Sequence, residues 1–104
     1  MIDDEFMTVR KATKLMFQRY EKINNDFMTL CNPPKSEVKG LIEEGISQAY
    51  KLPIDKLSRW LGYVQCSLIS EGLVTIDGER DFSRPLFHNA YFNEGLDIPP
   101  KIDV

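Results

Sequence analysis

From Ile2 to Leu30 apolar residues return at alternating steps of four and three: Ile2, Phe6, Val9, Met16, Tyr20, Ile23, Phe27 and Leu30, with Thr13 in the one vacant place. That period is the heptad-like stripe of an α-helix and fits no strand, whose side chains alternate every second residue. Ala12, Leu15 and Met28 widen the stripe, and Asp3, Asp4 and Glu5 sit where the positive end of a helix dipole favours carboxylates. A first helix is predicted over about residues 3–30, and ~25 residues of it would reach about 38 Å. A globule of ~100 residues has a radius of gyration of only about 13 Å. A rod of that length is expected to pack partly on a second subunit, so a homo-oligomer is the expected state.

The run Asn32-Pro33-Pro34-Lys35 ends this helix, because proline lacks an N–H and disfavours helical geometry in the residue before it. Ser36 reads as the cap of a second helix over about 36–50, whose narrow apolar face is Val38, Leu41, Ile42, Gly45, Ile46 and Ala49. Pro53 suits the first turn of a third helix, about 54–71, with Leu57, Trp60, Leu61, Val64, Leu68 and Ile69 inward. Gly72 is placed as a left-handed C-cap. Beyond it the pattern leaves a short extended segment near 73–76 open, then a turn at Asp77-Gly78. Ser83 is placed as the cap of a fourth helix over about 84–92 with Pro85 in its first turn. The fold class is therefore all-α: a long N-terminal helix plus a compact two- or three-helix unit. Residues 1–95 form one domain and 96–104 a flexible tail.

The chain has 104 residues, 42% of them apolar, enough for one folded domain and too few for two. A formal net charge of -3 supplies no overall attraction to nucleic acid or an anionic membrane. An acidic start, Met1 to Met7, and no apolar run near the roughly 20 residues that span a bilayer point to a soluble, cytoplasmic protein. Cys31 and Cys66 have neither CxxC spacing nor neighbouring histidines and read as reduced thiols.

Catalysis finds little footing. Magnesium-dependent helical hydrolases need carboxylates one helical turn apart, and no two lie three residues apart on any predicted helix. His88 is the only histidine, and neither a GxSxG elbow nor a glycine-rich phosphate loop is present. No catalytic residue, metal or cofactor is assigned. Helices two and three can be aligned as a helix-turn-helix carrying Lys56, Arg59 and Tyr63, but acidic Glu43, Glu44 and Asp55 flank the turn and would repel phosphate. DNA binding is the least supported reading.

Two constellations remain. On helix one Arg10, Lys11, Lys14, Arg19 and Lys22 face only Glu21 as an opposing charge between positions 10 and 22. Arg10, Lys11, Lys14 and Lys22 are the candidate partner-binding residues, with a solvated face as the plainer alternative. Further on, Arg59 and Tyr63 are one turn apart, and Arg80, Arg84 and His88 recur every fourth residue. If helices three and four pack together, these five residues could form one ligand site. Arginine forks suit phosphate or carboxylate, and Tyr63, Phe87 or Tyr91 can stack on a ring. Pairing of Arg80 and Arg84 with Glu71, Glu79 or Asp81 is the alternative.

The segments Arg59 to Gln65, Gly72 and Glu79 to His88, reading RWLGYVQ, G and ERDFSRPLFH, resemble a pattern in a family of small tailed-bacteriophage proteins. The resemblance covers about a third of the chain. Cys66 departs from it, standing where a small residue is expected. It implies a phage or prophage source and brings no ligand residues with it. On that footing the chain is expected to be a non-enzymatic accessory protein that binds a host protein as an inhibitor or adaptor. The alternative is an oligomeric sponge for an anionic small molecule such as a signalling nucleotide.

Overall fold

Helical periodicity governs every part of the computed structural model, which describes residues 7–30 and 36–96. Four helices follow one another: α1 (Val9–Leu30), α2 (Ser36–Ser47), α3 (Ile54–Ser70) and α4 (Ile76–Asn93), with no strand among the described residues. The acidic start, Cys31, the Asn32-to-Lys35 break and the tail from residue 97 lie outside the described residues, as do the side chains of Phe27, Met28 and Leu30.

α1 is the spine, in contact with each of the other three helices. Thr8 caps its start, its hydroxyl accepting the Lys11 N–H at 3.1 Å. Ala12, Met16 and Tyr20 of the predicted stripe are fully buried, and so is Phe17, which the stripe leaves out. Phe17 points to α2, where its ring lies 2.6 Å from the place a Cβ would occupy on Gly45. That glycine lets the Phe17 ring lie directly against the α2 backbone. α2 runs antiparallel to α1: the Arg10 guanidinium, near the start of α1, donates to the Ala49 and Leu52 carbonyls just past the end of α2, at 3.0 and 2.7 Å. Val38 and Ile42 join Leu57, Val64 and Leu68 of α3 in one core with Met16, Phe17 and Tyr20.

Pro53 is the residue before α3, with φ -56° and ψ 142°, rather than a member of its first turn. Gly72 closes α3 at φ 76°, its N–H donating to the Ile69 carbonyl at 2.9 Å and that of Leu73 to Leu68 at 2.9 Å. This is a Schellman closure, which needs a left-handed residue.

The region after Gly72 differs most from the reading of the sequence. Residues 73–75 are a bare connection, and α4 begins at Ile76 instead of 84. Thr75 is the cap, its hydroxyl accepting the Gly78 N–H at 3.0 Å, with Asp77 and Glu79 in the first turn. Asp77-Gly78 is thus helix, not turn, and Pro85 lies in the interior of α4. α4 runs antiparallel along α1. Near its start Glu79 meets Arg19 and Tyr20; at its end the Glu94 carboxylate accepts the Val9 N–H at 2.5 Å, and the Asn93 amide donates to the Met7 carbonyl at 3.0 Å. α3 and α4 touch little, because both lean on α1 and diverge from the 71–75 connection.

Candidate functional site

Placing Thr75 at the head of α4 sends Glu79, Leu86 and Ala90 inward along one face and leaves Arg80, Arg84 and His88 on another. Glu79 is 3% exposed although it is charged. Its Oε2 accepts from Arg19 at 2.9 Å, and its Oε1 accepts from Arg19 at 3.2 Å and from the Tyr20 hydroxyl at 2.6 Å. Tyr20 in turn accepts from the Gln65 amide at 2.8 Å, so α1, α3 and α4 are joined through one carboxylate. The Arg19 guanidinium also lies 4.0 Å from the centre of the Phe82 ring. Burial pushes the Glu79 carboxyl pKa up, but the hydrogen bonds from Arg19 and Tyr20 and the Arg19 charge outweigh it, and the net shift is below the ordinary glutamate value. For Tyr20, burial first and the bond to Glu79 second push the phenol well above its usual range, so it stays protonated. The hydrogen bond to Glu79 raises Arg19 as well. These groups satisfy one another and hold the fold.

The outward face of α4 is different. Arg80, Ser83, Arg84, Phe87, His88 and Tyr91 line a groove of about 210 Å³. They form two adjacent rows, 80-84-88 and 83-87-91, each one turn per step. Arg80 has a single loose contact, Asp77 at 4.0 Å across a nine-tenths exposed carboxylate. Arg84 and His88 make no hydrogen bond or ion pair among the described residues. The alternative pairing of Arg84 with Glu79 or Asp81 does not form: Glu79 is committed to Arg19, and Asp81, although a helical neighbour of Arg84 three residues back, makes no ion pair with it.

The five-residue site divides. Arg80, Arg84 and His88 share the groove, while Arg59 and Tyr63 do not reach it. The Arg59 guanidinium is turned to Asp55, one turn back, at 3.1 Å, with both side chains mostly in water. Tyr63 stands beside Cys66, Ser67, Ser70 and Glu71 in a separate depression. The reason is the divergence of α3 from α4, which takes the outer face of α3 away from the groove.

Helix one's basic face is also divided. Arg10 is absorbed as a bridge to the end of α2 and Arg19 by Glu79. Lys14 lies 5.4 Å from the Tyr50 ring, Lys11 is half-buried, and Lys22 remains exposed. On the helix-turn-helix alignment, Lys56 lies over the Trp60 ring at 5.5 Å and Arg59 is paired. No group of three or more metal-capable side chains occurs among the described residues, and no described helix is long and apolar enough to cross a membrane. Cys66 is a free, exposed thiol.

The network of Glu79, Tyr20, Gln65 and Arg19 is absent from the sequence reading. Its signal was the spacing of Glu79, Leu86 and Ala90, which becomes an inward helical row once Thr75 is taken as the cap. Among known proteins, no family model, curated protein or solved structure matches this chain.

Proposed function

We propose that the protein is a non-enzymatic binder whose α4 groove takes an anionic, ring-bearing small molecule such as a signalling nucleotide, sequestering it as a homo-oligomeric phage accessory protein in the host cytoplasm. The observation that carries this reading is the uncommitted state of Arg84 and His88 in a groove that Phe87 and Tyr91 also line. A planar guanidinium offers paired donors to a phosphate, the imidazole offers another, and the rings offer a stacking surface for a base. Of the other arginines, Arg10 and Arg19 are engaged inside the fold and Arg59 lies on Asp55, while Arg80 shares the groove.

A second reading has support from a different observation. Only α4 lines the groove, which stays open along its length, and beyond it Phe92 is 77% exposed. A host protein docking on this face would cover both. Docking through helix one rests on Lys14 and Lys22 alone, because Arg10 is already bonded.

Thermal melting in the presence of linear and cyclic nucleotides tests the first reading, together with native mass spectrometry of the freshly purified protein. A ligand at a hundredfold excess over its Kd stabilises the native state by about 2.7 kcal/mol, on the order of 10 °C for a domain of this size. The expected result is such a shift for at least one nucleotide, its loss in Arg84→Ala, and an oligomer that releases an intact nucleotide on denaturation. No shift with any nucleotide and no retained mass would overturn it and leave the protein partner as the reading to pursue.

A further inference from the structure

Where α3 and α4 diverge they leave a cleft distinct from the α4 groove. Its inner part, about 340 Å³, is bounded by Gln65, Ile69, Ile76, Glu79, Arg80 and Ser83. Its outer part, about 560 Å³, adds Gly72, Val74, Thr75 and Asp77 while sharing Ile69, Ile76 and Arg80. The chemistry changes with depth. The lips are aliphatic: Ile69 on α3, Val74 in the connection, and Ile76, which is 58% exposed at the very start of α4. Ile69, Val74 and Ile76 together give the cleft an aliphatic rim that an apolar side chain can cover. The floor is polar. Gln65 gives one N–H to Tyr20 and keeps a carbonyl oxygen and a second N–H. Glu79 is saturated by Arg19 and Tyr20, so it offers the cleft little free negative charge. The charge of the inner cleft is set by Arg80, a third exposed and held only by Asp77 at 4.0 Å, with the Ser83 hydroxyl beside it.

We infer that this cleft binds the C-terminus of a polypeptide ending in an aliphatic residue. The terminal carboxylate accepts from the Arg80 guanidinium and the Ser83 hydroxyl, a charge-assisted arrangement in a partly dry setting. The last side chain fills the space between Ile69 and Ile76, with Val74 closing the outer end. The amide N–H of that last residue donates to the Gln65 carbonyl oxygen. A plain acyl chain with a carboxylate would satisfy Arg80 and the lips but would bury the Gln65 amide without a partner, which is costly. A buried cation would meet Arg80 and a carboxylate already fully engaged. A peptide terminus matches Arg80, Ser83, Gln65 and the three aliphatic side chains together. This site does not rest on the nucleotide reading, and only Arg80 and Ser83 are common to the two.

Backbone-amide NMR of the full chain, titrated with the peptide acetyl-Gly-Ser-Gly-Ile-Val and with the same peptide as its C-terminal amide, tests the assignment. The free acid should shift resonances of residues 65–83, and the amide should bind about tenfold more weakly, the usual loss when a charged hydrogen-bond partner is removed. Arg80→Gln should erase the difference between acid and amide. Ile76→Asp, at an exposed position that leaves the core untouched, should abolish binding of both. Arg84→Gln should weaken a nucleotide and leave the peptide acid unaffected, so failure of one site is distinguished from failure of the other. Equal binding of acid and amide, shifts confined to residues 84–91, or binding retained in Ile76→Asp would each overturn the proposal.

Discussion

A carboxylate that is almost out of water must be repaid by its neighbours, and Glu79 has three hydrogen bonds from two of them. Removing it strands the Tyr20 hydroxyl and half the Arg19 guanidinium. Glu79→Ala is therefore expected to destabilise the fold by about 2–4 kcal/mol, and Tyr20→Phe by about 1–2 kcal/mol. The two should fall short of additive, because they share one network, and a double-mutant cycle in urea reads that directly. The pH dependence follows with a definite sign. Glu79 titrates lower in the folded state than the unfolded value of about 4.3, so it binds fewer protons when folded. Its contribution is fully present above that unfolded value and is lost as pH falls through the lower folded-state one. Urea midpoints measured between pH 3 and pH 7 should show this acid loss, and Glu79→Gln should flatten that part of the curve while lowering stability at pH 7.

Within α2 two glycines make opposite predictions. Gly40 has nothing within 4 Å of a built Cβ, so Gly40→Ala should stabilise the helix by about 0.5–1 kcal/mol. Gly45 faces the Phe17 ring at 2.6 Å, and Gly45→Ala should cost about 1–3 kcal/mol despite the better helix propensity, with Phe17→Leu restoring part of it. Thermal or urea unfolding of the two variants checks both signs. The contrast also shows what the sequence could and could not yield at this scale. Helices one to three were legible because strong apolar periods end at prolines and at Gly72. The start of α4 was not. Asp77-Gly78 has turn chemistry and Pro85 the look of a first-turn proline, but the Thr75 hydroxyl caps the helix ten residues before that proline. Phe17 was missed because α1 is buried on two sides, against α2 as well as α3 and α4, while a single stripe describes only one. Arg80, Arg84 and His88 were legible as a row, since one helix fixes their spacing. Their separation from Arg59 and Tyr63 was not, because it depends on how far two helices diverge in space.

At the scale of the whole molecule, α1 carries the architecture: about 33 Å of helix, in contact with each of the three others. Three helices of the same chain thus supply part of what a helix so long packs against. The same contacts leave α4 attached along α1 and only lightly to α3, so the groove and the cleft lie on either side of an element with one main support. The far end of that support brings Asn93 and Glu94 onto Met7 and Val9, where the last described helix closes on the beginning of the first. The order in which the helices are strung is then separable from the way they are stacked. A short glycine-serine linker should join residue 96 to residue 7, and new ends should be tolerated beside the exposed Glu71 and Gly72. Such a circular permutant should give the same helical circular dichroism and retain the acid sensitivity traced to Glu79. It would also place both new ends beside the α3–α4 cleft, turning the covalent path of the chain into a handle on its most open region.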